Sequence, residues 1–384
     1  MRLDEENMDG LDIDKTHTMG ARVKFLALGS AACRALNYFF SKESILSDLC
    51  LAVDTDLRCL ESLHPSLPKF CFEKNHFRGL SSGGDEALVE QMFEKDATPF
   101  HAFCQKTDIL ILLVGLGGGT GGGACLKLVQ LAIQGGAFVL SIPIVPFSFE
   151  GQSKAVRVQS QLKSLQLASD LVVPFNNDIL FQSLSDVSTI KEAFTEGDVW
   201  LSRLMKIFFI YLTQNTAGVL EGNLNNFMKH FSDKPEGVFW GIGFGEGERA
   251  SEQALRSVFD CPFWRSSKGH IPIKKVFVLS QLGAGIPFVD LKNLYYELQG
   301  YLGSPEIQML NAYAELAEVA SRVEIFILGS YCKQNLKAAR YRKKLGNEKM
   351  ANSQNVQIQF DFDDAGSEAY WDTPTYLRHG LKLD

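Results

Sequence analysis

The stretch that decides the fold is Asp108-Ile-Leu-Ile-Leu-Leu-Val-Gly-Leu-Gly-Gly-Gly-Thr-Gly-Gly-Gly123. Its first half is a continuous apolar run typical of a buried strand, and its second half is glycine apart from Leu116 and Thr120. An apolar helix is predicted next, over residues 124–134. Glycines let a backbone approach a ligand closely, and the amides at a helix N-terminus bind phosphate. We therefore predict a phosphate-binding loop rather than a flexible linker, with the hydroxyl and backbone N–H of Thr120 as donors.

Strand and helix patterns alternate on both sides of this loop. Short apolar strands are predicted at residues 23–28, 50–54, 138–145 and 171–174, and helical spacing runs over residues 85–103. Such alternation is typical of a parallel sheet covered by helices on both faces. In these sheets ligands bind beyond the carboxyl ends of the strands, where the glycine-rich loop also falls.

A second, smaller α/β domain is predicted after one long helix. The helix covers residues 190–214 and is apolar on most faces, and strand candidates follow at 237–244, 275–280 and 323–329. Residues 355–362 alternate strictly and predict a half-exposed final strand. The predicted division is an arm (1–21), an N-terminal domain (22–190), a central helix (191–217), a C-terminal domain (218–362) with a basic inserted segment (333–354), and a tail (363–384).

Composition narrows the class of protein. The chain has 384 residues, 46% of them hydrophobic, and a formal net charge of -7, so it is long enough for two cores and carries no general nucleic-acid footprint. Its eight cysteines form no C-x-x-C pair, which argues against a metal site and for a reducing compartment. The acidic, polar first residues and the lack of a ~20-residue apolar run predict a cytoplasmic protein without direct membrane insertion.

Five separate motifs together resemble the tubulin/FtsZ superfamily, and bacterial FtsZ in particular. The glycine-rich loop is similar to the signature G-G-G-T-G-S/T-G, and the resemblance extends over nearly the whole chain. The other four motifs are Ala-Val-Asp-Thr-Asp (52–56), similar to A-V-N-T-D; Gly-Leu-Ser-Ser-Gly-Gly-Asp (79–85), similar to G-L-G-A-G-A-N; Pro-Phe-Ser-Phe-Glu-Gly (146–151), similar to P-F-x-F-E-G; and Asn177-Asp178, similar to P-N-D with one extra residue before it.

The resemblance implies a divergent FtsZ-like protein that binds GTP or GDP, with Mg²⁺ beside the triphosphate and no metal ligand identified. The implied fold is α/β: an N-terminal Rossmann-like parallel-sheet GTP-binding domain, a long central helix and a smaller α/β C-terminal polymerisation domain. The implied GTP-binding residues are Gly29, Ser30, Ala31, Arg34, Asp54, Asp56, Ser82, Gly83, Gly117, Gly118, Gly119, Thr120, Gly121, Gly122, Glu150, Lys154, Asn177, Phe194 and Asp198.

Phe194 and Asp198 match the positions that contact the guanine base. An aromatic face stacks on a purine, and a carboxylate accepts from guanine N1–H and N2–H₂ together. Adenine lacks that donor pair, so a buried acceptor discriminates against it. Plain core packing is the alternative role for Phe194.

The first glycine-rich loop departs from the family pattern. The family has G-G-G-G-G-N, whereas this chain has Gly29-Ser-Ala-Ala-Cys-Arg34. Small residues still permit close approach, but any position between Ser30 and Ala32 that needs a positive φ would be strained. Arg34 replaces the asparagine, where it adds charge at the phosphates or closes the site differently.

The loop after the long helix departs in a way that affects catalysis. In the family it carries N-x-D-x-x-D and enters the nucleotide site of the next subunit, where its acidic groups polarise water. The matching positions here are Glu221, Asn223 and Asn226. An amide can position water but cannot accept its proton, and losing such a base costs about 10²–10⁴ in rate. We expect weakened or absent GTP hydrolysis, unless Glu221 compensates.

The last residues resemble a partner-binding peptide. Asp372-Thr-Pro-Thr-Tyr-Leu-Arg378 is similar to D-x-P-x-F-L-R, which in the family docks onto an FtsA-like membrane tether. Pro374 limits the conformations of the segment, while Tyr376 and Leu377 offer apolar anchors for a partner groove. The alternative is an ordinary tail whose aromatic side chains fold back on the body.

The resulting functional prediction is an FtsZ-like cytoskeletal protein at the bacterial division site. Head-to-tail contacts do not close, so filaments are expected, of this chain alone or mixed with a normal FtsZ. Two alternatives stay open: a non-polymerising GTP-binding regulator of division, and a competent polymerising GTPase that uses Glu221.

Overall fold

The computed structural model of the chain describes residues 21–43, 45–72, 81–181, 184, 188–213, 224–235, 237–265, 273–303, 306–316 and 321–331. All of them lie in the first of two compact units, Met1–Lys333. The predicted arm, the inserted basic segment, the final strand at 355–362 and the partner-binding peptide fall outside the described residues, apart from residue 21 of the arm.

The first sheet is parallel throughout and has the order β3-β2-β1-β4-β5-β6, with β7 also pairing with β5. Chain order reverses between β1 and β4, which makes their shared carboxyl end the expected ligand crevice. The strands are β1 Val23–Leu28, β2 Cys50–Asp54, β3 Lys69–Cys71, β4 Ile109–Gly115, β5 Phe138–Val145, β6 Leu171–Val172 and β7 Phe175–Asn176.

Helices cover both faces of this sheet, as the apolar strand pattern predicts. Successive residues of β1 point to opposite faces, so Phe25 joins one core and Leu26 the other. The Phe25 core also includes α1 and α8, and the Leu26 core includes α3 and α5. The helices of this half are α1 Ser30–Lys42, α2 Leu57–Glu61, α3 Glu86–Lys95, α4 Thr98–Cys104, α5 Gly119–Gln134, α6 Gln152–Ala168, α7 Asn177–Phe181 and α8 Ile190–Thr213.

The single helical stretch predicted over residues 85–103 is two helices, α3 and α4. Helix α3 ends at Lys95, and Asp96 leaves the helical region with φ -136° and ψ 61°. Pro99 lies in the first turn of α4. Proline has no N–H to donate to the preceding turn and is tolerated only where a helix begins, so the chain restarts a helix there.

Helix α8 passes from the first sheet to the second. Its buried ring of Phe209 contacts Phe25 of β1, with ring centroids 5.7 Å apart, and Phe208 contacts Phe326 at 5.4 Å. The long central helix and the parallel sheet confirm the predicted fold class. Among the residues that the structure describes, no helix is long and apolar enough to span a membrane.

The second sheet is mixed and has the order β10-β9-β11-β8. Strand β10 is parallel to β9, and β11 is antiparallel to both β8 and β9. The elements of this half are α9 Leu224–His230, β8 Gly237–Glu246, α10 Ala250–Asp260, α11 Pro262–Arg265, β9 Ile273–Gly283, α12 Phe288–Leu302, β10 Gln308–Leu316 and β11 Arg322–Tyr331.

Strand β10 is an addition to the three predicted strands of this half. Its buried positions alternate as Leu310, Ala312 and Ala314. Alanine has low strand propensity, so the local sequence gives a weak strand signal, and pairing with β9 decides the conformation.

Candidate functional site

A buried carboxylate, Asp54, connects three loops at the carboxyl edge of the first sheet. It is 2% exposed. Its Oδ2 accepts from Ser30 Oγ at 2.6 Å, and its Oδ1 accepts from Thr55 N at 2.7 Å and from Thr120 Oγ1 at 3.0 Å. A buried carboxylate needs such donors because it has lost its water. The loops after β1, β2 and β4 are therefore fastened to one another.

Thr120 uses its hydroxyl within this network. Besides its bond to Asp54, its Oγ1 lies 2.9 Å from Thr55 Oγ1, and the Ser82 N–H donates to Thr55 Oγ1 at 3.0 Å. We predicted that the Thr120 hydroxyl faces phosphate; the structure commits it to Asp54 instead. The backbone N–H of Thr120 remains the group that can face an anion.

Helix α1 begins directly after Gly29, which explains how a loop poor in glycine fits here. Gly29 has φ 85°, and Ser30 is already the first residue of α1. Ser30, Ala31 and Ala32 therefore have helical φ values, and the strain considered for them does not arise. Gly29 is the one position in this loop with a positive φ, and a glycine adopts that conformation without strain.

The glycine-rich loop is partly the first turn of α5. The helix starts at Gly119 rather than at Ala124 as predicted. A Cβ at Gly121 would overlap the Gly115 carbonyl oxygen, and a Cβ at Gly123 would overlap the Glu86 carbonyl oxygen. These two glycines are needed so that α5 can pack against β4 and α3. Gly118 differs, since a Cβ there would meet nothing within 4 Å.

Gln161 of α6 takes one of the amides predicted to face phosphate. Its Oε1 accepts from Gly117 N at 2.7 Å, and its Nε2 donates to Glu86 Oε1 at 2.9 Å and to Gly118 O at 3.3 Å. Gln161 is 4% exposed, so it is a structural part of the loop. A glutamine in mid-helix gives no local signal of this role.

The N-terminus of α5 still offers backbone amides that can face an anion. Its first amides, on Gly119, Thr120 and Gly121, have no helical acceptor, whereas Gly122 N already donates to Gly118 O at 3.3 Å. The helix dipole adds positive potential there. Two cations of α6 flank the loop: Arg157 Nε donates to Gly117 O at 3.1 Å, and Lys154 lies against Gly117.

Three further predicted residues shape the rim of this crevice. Asp56 caps α2, accepting from Arg58 N at 3.0 Å and from Cys59 N at 3.4 Å. Ser82 lies beside Gly119, where a Cβ would overlap its hydroxyl, and Gly83 has φ 64° in a turn. The structure thus gives Asp56 a local structural role and places Ser82 next to the first amide of α5.

The loop after β5 forms the neighbouring wall. Glu150 Oε1 accepts from Phe147 N at 2.8 Å, and its Oε2 pairs with Lys154. Asp178 accepts from Ser148 N at 3.0 Å and joins this loop to the start of α7, where Asn177 lies. These bonds bring the predicted ribose and base loops together.

Phe194 and Asp198 of α8 lie together with Arg34 of α1. Arg34 Nε donates to Asp198 Oδ2 at 2.7 Å, and the Arg34 guanidinium lies 4.8 Å from the centre of the Phe194 ring. Asp198 is 5% exposed, and its other oxygen, Oδ1, is buried without a hydrogen-bond partner among the described residues. Burial raises the pKa of Asp198 above its ordinary value, and Arg34 opposes that rise.

The predicted catalytic positions are only partly placed. Asn226 lies in α9, while Glu221 and Asn223 fall outside the described residues. The same holds for the predicted partner-binding residues Asp372, Pro374, Tyr376, Leu377 and Arg378.

The sequence of this chain is similar to that of known proteins of one family. Residues 12–185 match the family described as "Tubulin/FtsZ family, GTPase domain". The cell division protein FtsZ 1 of Pyrococcus horikoshii is 28% identical over 241 residues, which are 62% of this chain and 63% of that protein. FtsZ of Aquifex aeolicus is 28% identical over 235 residues, 61% of each chain. The match therefore spans less than two thirds of these relatives.

Two solved structures share the fold. An FtsZ dimer from M. jannaschii superposes with a TM-score of 0.70 at 17% identity, over 90% of this chain and 97% of that one. A GTPγS-bound CetZ2 protofilament from Haloferax volcanii superposes with a TM-score of 0.63 at 18% identity, over 85% of this chain and 99% of that one.

Proposed function

We propose that this chain is a divergent FtsZ-like protein of the tubulin/FtsZ superfamily and that it binds GTP and GDP at the carboxyl edge of its first sheet. The observation that carries the proposal is the pair Phe194 and Asp198. Asp198 presents a buried oxygen without a partner, next to an aromatic ring. A base with two adjacent N–H donors and a flat face satisfies both groups, and guanine has these properties.

The phosphate end of the site has the complementary chemistry. The amides of Gly119, Thr120 and Gly121 at the start of α5 suit an anion, and Gly118 leaves the approach open. Arg157 adds positive charge beside the loop, whereas the ammonium group of Lys154 is paired with Glu150. We expect Mg²⁺ to accompany the triphosphate. Both oxygens of Asp54 already accept protein hydrogen bonds, so we assign this ion no side-chain ligand.

Equilibrium binding of GTP and GDP to the wild-type protein tests this proposal. Asp198→Asn keeps one acceptor oxygen and replaces the other with an NH₂ donor, so it can no longer accept from both N–H groups of guanine. We expect guanine-nucleotide binding to weaken about 100-fold, since hydrogen bonds to charged groups contribute about 1.5–3 kcal/mol each. ATP should bind far more weakly than GTP. Asp260→Asn, at an exposed position in α10, is the matched control. Absence of GTP and GDP binding, or an Asp198→Asn variant that binds like wild type, would contradict the proposal.

We also propose that the chain assembles head-to-tail into filaments and hydrolyses GTP slowly. The relatives in the solved structures form a dimer and a protofilament, and the present chain shares their fold. Asn223 and Asn226 occupy positions that carry aspartates in the family, and neither amide can take a proton from water. The setting we propose is the cytoplasmic face of the bacterial division site, with a normal FtsZ and an FtsA-like tether on residues 372–378 as partners.

Sedimentation and phosphate release, measured together with GTP present, test this second step. We expect GTP-dependent pelleting with turnover about 10²-fold or more below that of an FtsZ with both aspartates. The double variant Asn223→Asp, Asn226→Asp should raise turnover. Glu221→Gln should lower any residual turnover if Glu221 compensates. A chain that binds GTP but never pellets, alone or with FtsZ, is a non-polymerising regulator instead.

A further inference from the structure

Arg34 makes both of the contacts that the proposed guanine site offers. Its guanidinium lies 4.8 Å from the centre of the Phe194 ring and donates through Nε to Asp198 Oδ2 at 2.7 Å. A guanidinium is planar, carries several N–H donors and stacks on aromatic faces. The N1–H and N2–H₂ edge of guanine presents the same kind of donors on the same kind of flat surface. The arginine and the base therefore require the same position.

We propose that Arg34 is an internal competitor for the guanine base, so that its side chain must leave Phe194 and Asp198 before a nucleotide can bind. This inference rests on the proposed function and deepens it. Arg34 lies one turn into α1, next to the loop after β1, and reaches α8 across 164 residues of sequence. Its replacement of the family's asparagine thus closes the site rather than adding charge at the phosphates.

The geometry also explains why the base can displace Arg34. Only one Asp198 oxygen is used by Arg34, and Oδ1 stays buried without a partner among the described residues. Leaving a buried acceptor unmatched costs about 1–3 kcal/mol. Guanine brings two donors and can satisfy both oxygens, which gives it an advantage over the single bond from Nε. Adenine lacks these donors and gains no such advantage.

Departure of the arginine is physically easy. Its side chain is 44% exposed, so the guanidinium can turn into water without crossing the core. The ion pair with Asp198 is consequently weaker than a fully buried one. The contact should reduce nucleotide affinity to a measurable degree without abolishing it.

The test compares GDP affinity in full-length variants, using a fluorescent GDP labelled on the ribose. Arg34→Gln keeps most of the stem and removes the charge, and Arg34→Asn restores the family residue. We expect both to bind GDP about tenfold more tightly than wild type, equivalent to about 1.4 kcal/mol. Arg256→Gln, at an exposed position in α10, is the matched control and should not change the affinity. Thermal unfolding followed by circular dichroism confirms that each variant is folded.

A double-mutant cycle with Asp198→Asn separates competition from an indirect effect. If Arg34 acts by occupying Asp198, Arg34→Gln should lose most of its effect in the Asp198→Asn background. Equal or weaker GDP binding by Arg34→Gln and Arg34→Asn, while Asp198→Asn still loses binding, would overturn the inference and leave the proposed function intact. No GDP binding by wild type or by either Arg34 variant would overturn both.

Discussion

At the scale of single residues, the buried polar groups of this chain differ in whether they have hydrogen-bond partners. Asp54 has a donor for each oxygen. His230, the last residue of α9, is in the opposite situation, because its Nε2 is buried without a partner among the described residues. Its ring packs against Phe231 with centroids 5.0 Å apart. Burial, together with the nearby charge of Lys275, lowers the pKa of His230 to about 4.

This lowered pKa predicts a pH-dependent stability. Between pH 6.5, the ordinary pKa of histidine, and pH 4 the unfolded chain binds a proton that the folded chain does not, so the free energy of unfolding should fall as the pH falls. His230→Gln should reduce this loss, as measured by urea unfolding at pH 7 and pH 5. His101→Gln, at an exposed position in α4, serves as the control. Identical pH dependence in wild type and His230→Gln would contradict the assignment.

At the scale of elements, the first turn of α5 combines two demands on the same glycines. Gly121 and Gly123 bring the helix close to the backbone of β4 and α3, whereas Gly118 faces open space just before the helix. The sequence shows all of them as one glycine-rich loop. Only the packing of the neighbouring elements separates the glycines that hold the helix in place from the one that leaves room for a ligand.

A pair of alanine substitutions tests this division of roles. Gly123→Ala should lower the free energy of unfolding by about 1–3 kcal/mol, because the added methyl overlaps the Glu86 carbonyl oxygen. The helix preference of alanine, about 1 kcal/mol, offsets only part of this loss. Gly118→Ala should unfold like wild type and weaken GTP binding instead. Chemical unfolding and nucleotide binding on both variants provide the measurement, and equal stabilities would show that the packing argument is wrong.

At the scale of the whole molecule, a cluster of aromatic rings joins the two sheets. Trp240 of β8 stacks on Phe263 of α11 with centroids 4.2 Å apart, and lies 6.1 Å from Trp200 of α8 and 6.4 Å from Phe175 of β7. Its indole N–H donates to Pro174 O at 3.3 Å. Rings from both halves and from the central helix therefore share one core, which continues without a break across both halves.

Removal of the Trp240 ring should lower the stability of both halves together. Trp240 is 1% exposed, and we expect Trp240→Ala to lower the free energy of unfolding by about 3–5 kcal/mol through the lost contacts and the cavity. Phe288→Ala is the matched control, since Phe288 is 70% exposed. Urea unfolding followed by far-UV circular dichroism measures the effect. A loss below about 1 kcal/mol for Trp240→Ala would mean that the two halves do not depend on this cluster.

The local sequence was sufficient for the class of fold and for the kind of loop. Apolar runs such as residues 109–114 specify buried parallel strands because both of their faces are covered, and the glycine-rich segment after them specifies close backbone approach. These signals lie within a few consecutive residues. Strand β10 has no comparable local signal, because its alanines have low strand propensity and only pairing with β9 makes the segment a strand.

Tertiary structure decided which partner each polar group of the site has. The Thr120 hydroxyl was predicted to face phosphate but donates to Asp54, and Gly117 N donates to Gln161, which lies 44 residues away. Arg34 and Asp198 are separated by 164 residues, and no local sequence pattern predicts their contact. A side chain bonds to whatever donor or acceptor the fold brings within about 3 Å of it, and that distance does not depend on separation along the chain. The sequence by itself therefore determined a glycine-rich loop on a parallel sheet, and only the packing of α1 against α8 decided that an arginine lies where the base is proposed to bind.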